Sequence, residues 1–226
     1  MVSIARRAAA ELIGTLLLCC IVVGSGIAAS RLSPHDGGLQ LLENATATAL
    51  GLFVLITVLA PISGAHLNPL VTVVDVALGH RRWRDVALYV TAQVAGAFGG
   101  TVLANLMFGL PAISISTRDR LTLGTALGEV VATAGLIGVI FLLARTGRSH
   151  WVAPVVAAWI GSAYFFTSST SFANPAIAIG RMFSDTFAGI ASGSAVGFAG
   201  AEIVGAALGW VLVRYGTSTT RSPLPR

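Results

Sequence analysis

Ser63-Gly64-Ala65-His66-Leu67-Asn68-Pro69-Leu70 opens an apolar run that continues through Val71, Thr72 and Asp75 to Leu78. Asparagine is a strong helix N-cap and proline suits the first helical position, because the cap side chain accepts a backbone N–H and proline has no donor to leave unpaired. A helix therefore starts at Asn68. Its ten or so residues reach only about 15 Å at 1.5 Å per residue, half the hydrocarbon core of a bilayer. Residues 168–176, Ser-Ser-Thr-Ser-Phe-Ala-Asn-Pro-Ala, carry the same signal, with Asn174 as cap and Pro175 as first residue. The segments before the caps, Ser63 to Leu67 and Ser168 to Ala173, are then non-helical backbone at membrane depth. Such backbone is tolerated only where it lines a wet cavity or is buried in protein. Its carbonyls, on Gly64, Ala65 and His66 and on Thr170 and Phe172, form ladders of acceptors, and the two asparagine amides add donors between them. That lining suits small hydrogen-bonding solutes. Each half-helix also aims roughly half an elementary positive charge at the midplane, which opposes cations and protons.

The rest of the chain agrees with a membrane setting. Of 226 residues, 55% are hydrophobic and 10% charged, against roughly a quarter charged in a soluble domain. Apolar runs at about Ala8–Ala29, Leu41–Ile62, Trp83–Leu110, Leu121–Ala144, Trp151–Thr167 and Ala195–Val213 predict six spanning helices and leave no room for a large extramembrane domain. Arg6 and Arg7 precede the first run as they would a signal peptide, but the run is long and contains Glu11, which favours a retained span. The net charge of +5 comes from fourteen arginines and no lysine. They are scattered in ones and twos, which excludes a nucleic-acid surface and reads as a topology signal. Placing the termini in the cytoplasm puts Arg6, Arg7, Arg81, Arg82, Arg84, Arg145, Arg148, Arg214, Arg221 and Arg226 inside, and leaves Arg31, Arg118, Arg120 and Arg181 outside. The positive-inside rule selects that orientation, a multi-pass protein of the cell membrane. Cys19 and Cys20 are adjacent within an apolar run, so there is no disulfide framework.

The chain repeats itself. Glu11-Leu12-Ile13-Gly14-Thr15 answers Glu129-Val130-Val131-Ala132-Thr133, Asn68-Pro69-Leu70 answers Asn174-Pro175-Ala176, and Gln93-Val94-Ala95-Gly96-Ala97 answers Glu202-Ile203-Val204-Gly205-Ala206, in the same order. One domain, 1–226, thus holds repeat 1 at about 5–110, repeat 2 at about 121–215 and a polar tail at 216–226. Three spans per repeat is an odd number, so the second repeat enters from the opposite face. The two Asn-Pro motifs then meet at the midplane from opposite sides.

These motifs, with Ala92-Gln93-x-x-Gly96, resemble the major intrinsic proteins, the aquaporins and aquaglyceroporins, over nearly the whole chain. The resemblance implies an all-α membrane fold, a right-handed bundle of six transmembrane helices with two re-entrant half-helices in an inverted repeat. It also implies one pore per protomer, a homotetramer in the lipid bilayer, and Glu11 and Glu129 as buried acceptors pinning the re-entrant loops. The pattern Thr-Ser-Phe-Ala-Asn-Pro-Ala followed by Ser184-Asp185-Thr186-Phe187-Ala188-Gly189-Ile190 is closest to the bacterial aquaglyceroporins associated with arsenic resistance.

The family's outer constriction, counted from the asparagines, falls on Thr48, Ser162, Ser171 and Ile177. None is aromatic and the family's arginine is missing, so a wider, uncharged, weakly polar mouth is expected. Leu70 stands where the family has alanine, which predicts Asn-Pro motifs set slightly further apart. Arg181 lies one helical turn beyond Ile177. It is either a vestibule charge that repels cations or an interfacial arginine that snorkels to headgroups. His66 is either a proton-sensing gate or a packed side chain whose carbonyl faces the pore; His35, His80 and His150 lack ligand spacing, and no metal or cofactor is expected. Neighbouring helical residues point about 100° apart, so Cys19 and Cys20 cannot converge on one ion. Gly96, Gly100, Gly205 and Gly209 predict close helix crossings. The chain is expected to be no enzyme, since no nucleophile and base stand at workable spacing. A channel for water, glycerol and other polyols, urea or neutral metalloid hydroxides such as arsenous acid is the leading expectation. A coupled transporter or a membrane scaffold is the alternative.

Overall fold

A computed structural model describes residues 2–216; Arg221, Arg226 and most of the polar tail lie outside the described residues. Eight α-helices follow in order: α1 (Ile4–Leu32), α2 (Gly37–Ser63), α3 (Pro69–Ala77), α4 (Arg84–Met107), α5 (Leu123–Arg145), α6 (Val152–Phe166), α7 (Pro175–Arg181) and α8 (Ser192–Tyr215). The order of two long helices, a short helix and another long helix occurs twice. Five of them are long and apolar enough to cross a bilayer. The other expected span, α6, has 15 residues, about 22 Å at the helical rise, and a 3₁₀ turn at Ser149–Trp151 leads into it. Helix α1 runs a turn beyond the expected apolar span at its N-terminal end because Ser3 caps it, its side chain accepting from the Arg6 N–H at 3.3 Å.

The bundle buries polar side chains within a largely apolar core and leaves large apolar side chains on its outer surface. Glu11, Thr15, Asn44, Gln93, Thr101, Glu129, Thr133 and Glu202 are buried, while Leu50, Phe53, Val54 and Val58 of α2 and Leu127 and Val131 of α5 face outward. Asn44, Gln93, Thr101, Glu129 and Glu202 bond to neighbouring elements, so packing and hydrogen bonding specify the same arrangement there, whereas the hydroxyls of Thr15 and Thr133 have no partner among the described residues. The main pairings are α1 on α4 and α5 on α8. The glycine stripe makes both possible: a Cβ at Gly96 or Gly100 would strike the carbonyls of Leu12 and Leu16 on α1, and one at Gly205 or Gly209 those of Val130 and Ala134 on α5. Cys19 is buried with its Sγ 3.2 Å from Thr101 Oγ1, a packing role.

Both short helices start where the Asn-Pro pairs place them. Asn68 caps α3 by accepting from the Leu70 N–H at 2.9 Å, and Asn174 caps α7 by accepting from the N–H groups of Ala176 (3.1 Å) and Ile177 (3.4 Å). The chain leading into each cap is irregular, with left-handed backbone at Gly64, Ala65 and Leu67 and again at Thr170, Ser171 and Ala173. Five of these six residues carry a Cβ and adopt this conformation at a cost. The buried carboxylates of Glu11 and Glu129 offset that cost by accepting the N–H groups of His66 and Leu67, and of Phe172 and Ala173, at 2.7–3.0 Å.

Candidate functional site

The two caps also hold each other. Asn68 Nδ2 donates to the Ala173 carbonyl and Asn174 Nδ2 donates to the Leu67 carbonyl, both at 2.7 Å. The half-helix N-termini therefore meet as a reciprocal pair in the middle of the molecule. Leu70, whose bulk bears on the spacing of the motifs, is turned into the packing at 8% exposure. Pro69, Leu70, Pro175 and Ala176 support the junction without lining the cavity that passes it.

That cavity has a volume of about 490 Å³. Gly64, Ala65, His66, Leu67 and Asn68 line one part, and Ser171, Phe172, Ala173 and Asn174 line another. The facing wall is apolar, built from Leu18, Val22, Leu52, Ile56, Val156 and Ile160. Thr48 and Tyr164 stand on the same helix faces as Leu52 and Ile56 and as Val156 and Ile160, so this mostly apolar wall also carries two hydroxyls. Thr170, expected among the lining residues, lies outside it.

The constriction expected at Thr48, Ser162, Ser171 and Ile177 is corrected at one position and in its character. Thr48, Ser171 and Ile177 line the cavity, and the Ser171 hydroxyl is buried with no partner among the described residues. Ser162 is exposed on the outside of α6 and spends its hydroxyl on the Trp159 carbonyl at 2.8 Å. The α6 residue opposite Thr48 is Tyr164, whose OH donates to Thr48 Oγ1 at 3.2 Å. An aromatic residue is therefore present. So is an arginine: Arg181 lines the cavity at 3% exposure, its guanidinium 3.5 Å from the centre of the Phe172 ring and its Nε donating to the Ala188 carbonyl. The snorkelling reading of Arg181 fails because the side chain is enclosed by protein. Its terminal nitrogens find no acceptor among the described residues.

Outside this ring, residues 184–191 form a loop whose carbonyls are gripped by arginines. Arg118 donates to Phe187 at 2.8 Å, and Arg120 donates to Gly189 at 2.7 Å and Phe187 at 2.6 Å. Burial and the nearby charges of Arg181 and Arg118 push the Arg120 pKa down. Asp119 anchors the same region by accepting from Ser194 and from the Leu121 N–H, and these bonds hold its carboxyl below the ordinary aspartate value.

At the other end the structure gathers residues that the sequence reading passed over. Asp75 of α3 is bound by His80 Nδ1 and Arg81 Nε, each at 2.9 Å, and lies 3.4 Å from His66 Nε2. Arg81 continues to Tyr89 OH at 2.5 Å and to the Ser63 carbonyl. Both ring nitrogens of His66 are occupied, Nδ1 by Thr72 Oγ1 at 3.1 Å and Nε2 by Asp75, and its side chain is 7% exposed, with the ring against that of Tyr89. The visible signal was an aspartate inside an apolar half-helix with an arginine just after it. No cluster of three or more histidine, cysteine, aspartate or glutamate side chains able to hold a metal occurs among the described residues.

Residues 1–173 match the family model described as Major intrinsic protein. The chain is 47% identical over 210 residues to aquaglyceroporin AqpS of Rhizobium meliloti (strain 1021), covering 93% of this chain and 89% of that one. It is 31% identical to aquaporin TIP1-1 of Arabidopsis thaliana, covering 77% and 74% of the two chains. It is 30% identical to the propanediol uptake facilitator PduF of Citrobacter freundii, covering 70% and 66%. In fold it is similar to the crystallographic aquaglyceroporin of Plasmodium falciparum, with a TM-score of 0.72 at 23% identity over 94% of this chain and 95% of that one.

Proposed function

This chain belongs to the major intrinsic protein family, a family of multi-pass membrane channels and not of enzymes, and from that premise we propose that it conducts small uncharged solutes passively. The solutes are water, glycerol and other polyols, urea, and neutral metalloid hydroxides such as arsenous acid. One observation carries the reading: the reciprocal Asn68–Ala173 and Asn174–Leu67 bonds sit beside a cavity lined by the two re-entrant loops on one wall and mostly by aliphatic side chains on the other. A neutral solute with several hydroxyls replaces its lost water contacts on the first wall and lays its carbons on the second.

Ions are excluded because both half-helices present their positive ends to the midplane and Arg181 adds a full charge nearer one mouth. Tyr164, Thr48 and the free Ser171 hydroxyl select solutes at that mouth. The relatives named for glycerol-type transport and propanediol uptake support polyols over a strict water pore. The assembly is a homotetramer in the cell membrane, a reading that rests on the family; both termini are cytoplasmic, an orientation that the arginine distribution supports. The carboxylates of Glu11 and Glu129 accept backbone amides of the re-entrant loops, which supports a structural use of both acids over a transport use.

The test is stopped-flow light scattering on vesicles containing the purified protein, comparing water, glycerol, urea and arsenous acid in one preparation. Faster shrinkage and reswelling than protein-free vesicles, without any ion gradient, is the expected result. Equal rates with and without protein for every solute would reject the channel.

A further inference from the structure

The two re-entrant loops are anchored by the same device, and one of its parts differs. In the first half, the Glu11 carboxylate accepts from Ser63 Oγ at 2.6 Å, from the N–H groups of His66 (3.0 Å) and Leu67 (2.7 Å), and from Gln93 Nε2 at 2.8 Å. In the second half, Glu129 accepts from the N–H groups of Phe172 (2.9 Å) and Ala173 (2.7 Å), with Ser169 beside it. Ser169, Phe172 and Ala173 correspond to Ser63, His66 and Leu67 by the same offset that relates Asn174 to Asn68. The fourth donor, the Gln93 amide, corresponds to Glu202.

Glu202 is fully buried on α8. Its Oε1 accepts the Asn174 N–H at 2.9 Å, its Oε2 has no donor, and its carboxyl is in contact with that of Glu129. Neither acid is hydrogen-bonded to a basic side chain among the described residues. Two ionised carboxylates in contact repel, whereas one proton between them turns the contact into a strong hydrogen bond. The surroundings also match the number of hydrogens available. Gln93 has two amide hydrogens and two acceptors, Glu11 and Thr72 Oγ1 at 3.0 Å. The counterpart of Thr72 is Ala178, which offers none, so the second half needs a single hydrogen at this place.

We propose that Glu202 is a neutral carboxylic acid whose Oε2–H donates to Glu129 while its Oε1 holds the Asn174 N–H, making it a positioning residue for the backbone of residues 172–174. It does with one proton what Gln93 does with an amide. The flux consequence rests on the channel reading above; the protonation state does not.

Infrared spectroscopy of the purified full chain at neutral pH tests it, with Glu202→Gln and Glu202→Leu beside the wild type. The wild type should show the C=O stretch of a protonated carboxyl, and Glu202→Gln should lack it. Because the glutamine amide keeps both bonds, that variant should fold and conduct like the wild type. Glu202→Leu keeps the size but neither bond, and its flux at matched abundance should fall about tenfold or more, the equilibrium equivalent of a lost bond to a charged group. Absence of the wild-type band, its persistence in Glu202→Gln, or failure of Glu202→Gln to fold would overturn the proposal. So would wild-type flux in Glu202→Leu; if that variant does not fold, the infrared comparison decides alone. A wild type with the band but no flux for any solute would reject the channel and leave the protonation standing, whereas normal flux without the band would do the reverse.

Discussion

Replacing Asn174 with leucine removes three interactions at once, and their sizes can be worked from the geometry. The side chain is the N-cap of α7, accepting from Ala176 and Ile177, and such a cap contributes about 1 kcal/mol. Its amide also donates to the Leu67 carbonyl at 2.7 Å, and leaving that buried acceptor without a partner costs about 1–3 kcal/mol. The sum is about 2–4 kcal/mol, which corresponds to a fall in thermal midpoint of about 5–15 °C for a chain of this size. The same substitution puts a branched apolar side chain where the Asn174 amide lines the cavity. Stopped-flow flux of water and glycerol through vesicles at matched protein density should collapse, and Asn68→Leu should behave alike because Asn68 donates reciprocally to Ala173. Each bond spans the same pair of loops, so the double variant should be less destabilised than the sum of the singles, with a coupling on the order of 0.5 kcal/mol or more. Wild-type conduction and midpoint in Asn174→Leu would refute the crossed-asparagine pore, and strict additivity would refute the mechanical link between the loops.

Three further outcomes are expected. Arg181→Gln should leave glycerol flux nearly intact and permit a cation conductance across vesicles that the wild type lacks; identical conductance would retire the charge barrier at this mouth. Ile177→Arg places a second guanidinium about 6 Å inward of Arg181 on the same helix face, so glycerol permeability should fall more than water permeability, and an unchanged ratio would mean that Ile177 does not face the solute. Asp119 is held below the ordinary aspartate value of about 3.8 by the Ser194 hydroxyl and the Leu121 N–H. A depressed carboxyl stabilises the fold above its unfolded value and loses that contribution as pH falls through the folded one. Asp119→Asn should therefore narrow its thermal-stability gap to the wild type only below about pH 4, and a gap that closes near neutrality would contradict the assignment.

What could be read from the sequence was what is locally encoded. An Asn-Pro pair starts a helix by filling its own caps, whatever surrounds it, so both half-helices begin where the sequence places them. Small residues at four-residue spacing mark a close crossing on any helix pair, and Glu11 and Glu129 announce themselves as acids in apolar runs. The failures lie where position depends on a neighbouring element. Counting back from Asn174 to α6 crosses residues 167–173, whose left-handed backbone has no fixed rise. The resulting error of two residues is about 200° on a helix, enough to turn Ser162 outward and leave Tyr164 facing Thr48. Arg181 was legible as sharing a face with Ile177, but its burial depends on Phe172 and on the loop carbonyl of Ala188, both outside its own helix. Asp75, His80 and Arg81 were missed because charged residues at the end of a short apolar helix look like an exposed turn until Tyr89 and Ser63 close around them.

The two mouths also differ in how their charges are balanced, and this bears on where ions are stopped. At the α3 end, Asp75 faces Arg81 and His80 directly, so the charged side chains compensate one another within about 3 Å. At the α7 end, Arg181 meets a ring face and a carbonyl but no carboxylate, and Arg120 likewise spends itself on carbonyls. An aromatic face and carbonyl dipoles solvate a guanidinium without cancelling its charge. The Arg181 charge is therefore not cancelled by a contacting carboxylate, and it lies in series with the half-helix dipoles at the midplane. On the proposed channel reading two such barriers are not interchangeable: one at Arg181 would act on a cation at that mouth, whereas one at the asparagines would act where Asn68 and Asn174 hold the two half-helix N-termini together. Removing Arg181 should thus admit cations before it admits protons, because proton passage along a chain of waters is still interrupted where the positive ends of α3 and α7 meet.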